Sequence, residues 1–148
     1  MKKFLAIILA AITLLTFASC GAKEEAATLK DGTYHIERAE FDDHGWKEYV
    51  DVTVEGGKIT AVEYDSLNVE DGHKKTEDEA YKEAYTGAGF ETYPAATADA
   101  LEADLIAKQD AAKVDTVAGA THSSDGFKEL VLALAENMKN GDTAPVIY

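Results

Sequence analysis

Hydrophobic positions along this 148-residue chain change period several times, and each change marks an element. After Lys2 and Lys3, the stretch from Phe4 to Phe17 is apolar except for two threonines, and Ala18 and Ser19 then lead to Cys20. That run is too short and too abruptly ended for a membrane span and reads as a secretory leader. Beyond the turn signal Asp31-Gly32, "TYHIERAEF" alternates as a strand does, and "DDHG" interrupts it. In "WKEYVDVTVEGGKITAVEYDS", Val50, Val52 and Val54 alternate with polar residues, and Gly56-Gly57 predicts a two-residue type I′ hairpin turn. Extended without interruption, that turn pairs Val54 with Ile59 and Val52 with Ala61 on one face. Tyr49, Val62 and Tyr64 then fall on the opposite face. A sheet apolar on both faces needs cover on both: one cover helical, the other a helix, a loop or a ligand.

The period then becomes helical. "SLNVEDGHKK" predicts a loop, and Thr76 with Glu79 a capping box ahead of Tyr81, Ala84 and Tyr85. Gly87 and Gly89 end that helix. Pro94 opens a second, "ATADALEADLIAKQ", with Leu101 and Leu105 one turn apart, and "KVDTVAGA" is a short extended link. The last helix starts near Thr121, carries Phe127, Leu130, Val131, Leu134 and Met138 on one stripe, and is capped at Asn140-Gly141. Strands first and helices after predict an α+β domain, a small antiparallel sheet packed with three helices.

Composition adds a compartment. Cys20, the sole cysteine, stands at the expected cleavage point and reads as a bacterial lipobox cysteine, acylated and made the new N-terminus, although Phe17 stands where such motifs more often have Leu. The alternative is an ordinary secretory signal with an incidental thiol. The division is thus a leader over 1–19, a lipidated tether over 20–30 and one domain over 31–148. The tether "GAKEEAATLK", if flexible, spans roughly 15–20 Å and holds the domain close to the extracytoplasmic face of the cell membrane. Loss of Lys2 and Lys3 with the leader takes the net charge from -14 to -16. Such a surface repels nucleic acid and anionic lipid headgroups.

Most chemistry-bearing patterns are missing. The four histidines have no metal-ligand spacing and no cysteine partner, so no metal site is expected. His122 beside Ser123 and Ser124 is no hydrolase triad, because sequence neighbours do not face one another on a helix. No Walker or Rossmann glycine loop is present, and no pair of carboxylates stands out as an acid–base couple. "VDTVAGATHSSDGF" remains. Gly119 and Ala120 make an uncrowded turn, and Thr121, His122, Ser123 and Ser124 fill a helix start, where free amides and the helix dipole suit a phosphate. An N-cap threonine with ordinary helix-start serines accounts for the same residues.

"DTVAGAT", Asp115 to Thr121, resembles the flavinylation motif D-x-x-[ST]-G-A-T of FMN-binding domain proteins. That family includes the NqrC and RnfG subunits of redox-driven ion pumps and lipid-anchored extracellular electron-transfer proteins. "GWKEYVDVTVEGGKITAVEYDS" and "KQDAAKVDTVAGATHSSDGFKEL" are both similar to the lipid-anchored subgroup, and the resemblance runs from about Lys30 to Met138. Ala118 stands where the family usually has Ser or Thr.

The resemblance implies FMN joined through a phosphoester to Thr121 by a Mg-dependent flavin transferase of the ApbE type, with FAD as donor. Asp115 and Gly119 would present the turn, and the amides from Ala120 through His122 to Ser124, with the Ser123 and Ser124 hydroxyls, would hold the phosphate. Trp46 is the first choice for contact with the flavin ring, Tyr49 and Tyr64 the next, and Asn68 and Lys74 lesser candidates. The implied role is electron carriage from a membrane dehydrogenase or quinol to an outside acceptor or reductase, an electron-transfer flavoprotein and no independent enzyme. The dense acidic surface would lower the flavin's potential. A lipid-anchored ligand- or peptide-binding surface protein without flavin is the competing reading.

Overall fold

The computed structural model describes residues 28–90 and 92–148; the leader and Cys20 lie outside them. Four strands, β1 (Gly32–Glu37), β2 (Trp46–Glu55), β3 (Lys58–Asn68) and β4 (Val146–Ile147), form one sheet in the order β3-β2-β1-β4. Helices α1 (Glu79–Gly87), α2 (Pro94–Lys108) and α3 (Thr121–Asn140) follow β3 in the chain. The α+β class holds. β1–β2 and β2–β3 are antiparallel, whereas the two-residue β4 runs parallel to β1 at Ile36 and Glu37.

Gly56 and Gly57 both have positive φ, 59° and 74°, as the type I′ turn between Glu55 and Lys58 requires. Val54 pairs with Ile59, but Val52 pairs with Val62 and not Ala61. A bulge at Thr60 puts one extra residue into β3 and moves every later residue to the other face. Val62 and Tyr64 therefore join Val50, Val52 and Val54 on the inner face, where Tyr34 and Ile36 of β1 also point. The sheet is not apolar on both faces. Tyr49 alone remains large and buried on the helix-free side, stacked on His35 with its hydroxyl on Glu63 Oε1 at 2.6 Å.

α2 packs on β3 and α3 on β1 and β2. Leu101, Leu105, Phe127, Leu130, Val131, Leu134 and Met138 are all buried against the inner face, as their spacing predicts. The edge strand β3 would leave free amides, and α2 side chains occupy them. Glu102 Oε1 accepts from Tyr64 N at 2.7 Å. The Gln109 side-chain amide acts as a substitute strand residue, accepting from Ile59 N and donating to Ile59 O, each at 2.8 Å. Gln109 holds this position at the end of α2 with a left-handed backbone, φ 58°.

The expected capping box is replaced by other contacts. Thr76 sits in a 3-10 turn (Lys75–Glu77) and donates its hydroxyl to Asp65 Oδ2, while Asp78 caps α1 by accepting from Tyr81 N at 2.9 Å. α1 ends at Gly87 as expected, and none of its residues is buried. A second 3-10 turn, Ala111–Lys113, follows α2, and the link beyond it is extended at Val114 as expected and turns at Ala118-Gly119.

Gln109→Ala is expected to cost about 1–3 kcal/mol, because it strands two backbone groups of Ile59 beside the bulge. Gln109→Gly, which suits the left-handed backbone, should lose less. Urea unfolding of the two variants checks both the loss and its order.

Candidate functional site

The inner face of β2 does not stop at the core. Trp46 and Glu48 continue the row of Val50 and Val52, and with Tyr64 and Ser66 they line a cavity of about 720 Å3. α1 contributes Tyr81 and Tyr85, α2 its first turn with Thr97, and α3 its N-terminus with Gly119 to Ser123. The volume falls within the range of small-molecule pockets, roughly 300–1,000 Å3.

Local chemistry explains how α3 presents its end. Gly119 takes φ 79°, letting the chain reverse before the helix. Ala120, not Thr121, is the N-cap residue, and Thr121 is the first helical residue with no side-chain cap bond in the turn. Ser124 does the closing: fully buried, its hydroxyl donates to Ala120 O at 2.8 Å and accepts from Val117 N at 3.0 Å. Its own amide is bound to Ala120 O at 2.9 Å. Ser124 is therefore not a phosphate donor, contrary to expectation. The amides of Thr121, His122 and Ser123 precede the first intrahelical bond and sit at the positive end of a 20-residue helix. Thr121 and His122 are exposed.

A polar cluster fixes this helix end to the sheet. Tyr64 donates to Glu48 Oε1 at 2.7 Å and lies 3.2 Å from Ser123 O. Arg38 binds Glu48 at 3.3 Å and Glu129 of α3 at 2.7 Å. Burial and the neighbouring Glu48 carboxylate push the Tyr64 phenol well above its usual range, so it stays a neutral donor. Gly126 leaves room for this cluster, since a Cβ there would lie 2.8 Å from Glu48 Oε2.

Trp46 is in the cavity wall but nearly buried, with His73 and Tyr81 against its edges and the Lys75 ammonium over its ring. Tyr81 stacks on Tyr85, which meets Phe90, so an aromatic stair runs along a helix that buries nothing. These tyrosines and Lys75 were missed as site residues, although the i, i+4 tyrosine spacing was visible. Of the remaining expected residues, Tyr49 lies across the sheet, Asn68 turns into the loop to accept from Glu70 N, and Lys74 pairs with Glu63 at 2.6 Å. None of these three lines the cavity. Asp115 also stays outside, tied to α2 through Lys108 at 2.9 Å and by its amide to Asp104 at 2.7 Å. Among the described residues no group of His, Cys, Asp and Glu is arranged to hold a metal ion.

Ser124→Ala should destabilise the fold by about 1–3 kcal/mol by leaving Val117 N without a partner, measurable by urea unfolding. His73, bonded to Asp71 and Asp78, has its pKa raised above 6.5 by those two carboxylates. The stabilisation this gives is complete below the unfolded value near 6.5 and disappears as pH rises through the higher folded value. An NMR titration of the imidazole should show a midpoint above 6.5 that falls in Asp71→Asn.

The chain is similar to known proteins in sequence and in fold. A 15 kDa lipoprotein of Treponema pallidum is 36% identical over 124 residues, covering 82% of this chain and 84% of that protein. The crystal structure of the CPE2226 protein from Clostridium perfringens superposes with a TM-score of 0.75 at 40% identity, covering 81% of this chain and 97% of the other. A solution structure from Clostridium thermocellum gives 0.51 at 29% identity, covering 73% and 92%. The model of the FMN-binding domain matches residues 43–136, which takes in the β2–β3 hairpin, most of the cavity wall and the first turns of α3, and the chain belongs to the FMN-binding domain family.

Proposed function

We propose that this chain is a membrane-tethered extracytoplasmic electron carrier whose cavity holds FMN, joined covalently to Thr121. The observation that carries the reading is the position of Thr121: an exposed hydroxyl at the first residue of α3, on the wall of a cavity whose other side is aromatic. The residues present fit the group. Free amides at Thr121, His122 and Ser123, with the Thr121 and Ser123 hydroxyls, suit a phosphate, and Trp46, Tyr81 and Tyr85 supply apolar surface for a flat ring.

When bound, FMN supplies reversible electron uptake, and the protein supplies position and electrostatics. Thr121 Oγ gives up its proton and forms the new P–O bond with the FMN phosphoryl group of FAD, and AMP leaves. A Mg-dependent flavin transferase of the ApbE type does this chemistry. Ser124 and Gly119 keep the turn open, and Asp115, exposed and held to Lys108, is displayed beside it for the transferase. Acylation of Cys20 would tether the domain as a lipoprotein, with electrons arriving from a membrane dehydrogenase or quinol and leaving to an outside acceptor or reductase. The peptide-binding alternative gains nothing from the helix-free face, where Tyr49 is already covered by His35 and Glu63.

Coexpression with the transferase is expected to raise the intact mass by FMN minus water and to leave a fluorescent band on a denaturing gel. Thr121→Ala should lose both signals and Thr121→Ser should keep them. A wild-type chain that takes up no flavin, bound or free, under any condition sinks the reading.

A further inference from the structure

One arginine and one lysine, Arg38 and Lys75, line the cavity, and they are held differently. Arg38 is committed to Glu48 and Glu129. Lys75 lies over aromatic rings instead, its Nζ 4.7 Å from the Tyr81 centroid and 5.3 Å from that of Trp46. Among the described residues it has no carboxylate partner within ion-pair distance. The nearby Asp65 is engaged by Thr76 Oγ1 and the amides of Ser66 and Thr76. Contact with the two rings holds an ammonium in place and leaves its net charge intact. Lys75 thus sets a positive charge among the aromatic groups that would receive a flat ligand, while Glu40, Asp42, Asp43, Glu48 and Asp65 stand elsewhere on the same wall.

Resting on the FMN reading above, we propose that Lys75 sets the redox balance of the bound flavin by favouring the charge the ring gains on reduction. Two electrons and one proton from a reductant convert a neutral oxidised ring into one with a single negative charge, and the reductant is oxidised by two electrons. An ammonium at the cavity wall favours the charged product over the neutral starting ring, and more strongly than the same charge in bulk water would. The effect opposes that of the acidic surface and is local to the site.

The test loads FMN onto wild type, Lys75→Met, Lys75→Gln and Lys75→Arg and titrates each with dithionite against a redox dye. Circular dichroism and flavin content verify that each variant is folded and filled. Removing the charge should lower the preference for reduced over oxidised flavin about tenfold. That is a fall in midpoint potential of about 30 mV for a two-electron couple. Lys75→Arg should stay near wild type, which loss of packing alone would not produce. Equal potentials in the filled wild type, Lys75→Met and Lys75→Gln overturn the role of Lys75 and leave FMN binding standing. A fall in Lys75→Arg as large as in Lys75→Met overturns it too, by showing that the size and shape of lysine matter and its charge does not. A wild-type chain that takes up no FMN overturns both readings.

Discussion

Side chains on a strand alternate between faces, so the extra residue at Thr60 reassigns everything beyond it on β3. Without the bulge, Tyr64 would face solvent beside Tyr49. With it, Tyr64 turns inward, packs on Phe127 at 5.1 Å between centroids, and sends its hydroxyl to Glu48. Glu48 in turn holds Arg38, and Arg38 holds Glu129 on α3. A single insertion thus links β3, β2, the end of β1 and α3 through one chain of contacts. The N-terminus of α3 faces the cavity because this chain fixes where the helix lies on the sheet. Gln109 stabilises the distortion from the other side by completing the bonds of Ile59 next to the bulge.

The segment that leads into α3 and forms its first turns, Val114 to Phe127, makes sense in the same terms. Two of its small residues are required by packing. Ser124 is buried and ties Val117 to Ala120, and Gly126 lets the Glu48 carboxylate come under the helix. A larger residue at either place would push α3 off the sheet. Thr121, His122 and Ser123 are under no such demand, and they are the residues left facing the cavity. One short segment therefore divides between closing a turn and presenting a surface, and the boundary runs between Ser123 and Ser124.

Periodicity made most of the scaffold legible: the hairpin turn, the core stripe of α3 and the start of α2 at Pro94 all stand where it placed them. The bulge was not legible, because Thr60 is an unremarkable strand residue and the group that supports its insertion is Gln109, fifty positions along the chain from its partner Ile59. The same holds for Thr76, whose spacing to Glu79 matches a capping box while Asp65 offers its hydroxyl a better partner. Within the cavity, Trp46 and the α3 turn were visible because composition and motif single them out. Tyr81, Tyr85 and Lys75 were passed over because tyrosines at helical spacing normally signal a core face. Here the helix that carries them buries nothing, and only tertiary placement turns a core pattern into a cavity wall.

Net charge and site charge act over different distances. Most of the acidic residues lie on exposed surface, where salt screens each beyond about 8 Å at physiological ionic strength. Their sum governs which molecules approach, favouring cationic surfaces and repelling polyanions. On the cavity wall Glu40, Asp42, Asp43, Glu48 and Asp65 stand beside Arg38 and Lys75, with Glu48 paired to Arg38 and Asp65 bonded by a hydroxyl and two amides. Lys75 lies over the faces of two rings and, among the described residues, is in no ion pair. A strongly acidic protein can therefore still present a cationic group to a ligand among the aromatic residues of its pocket. The overall charge of the chain therefore does not by itself give the field there, which depends on how close a ligand comes to Lys75.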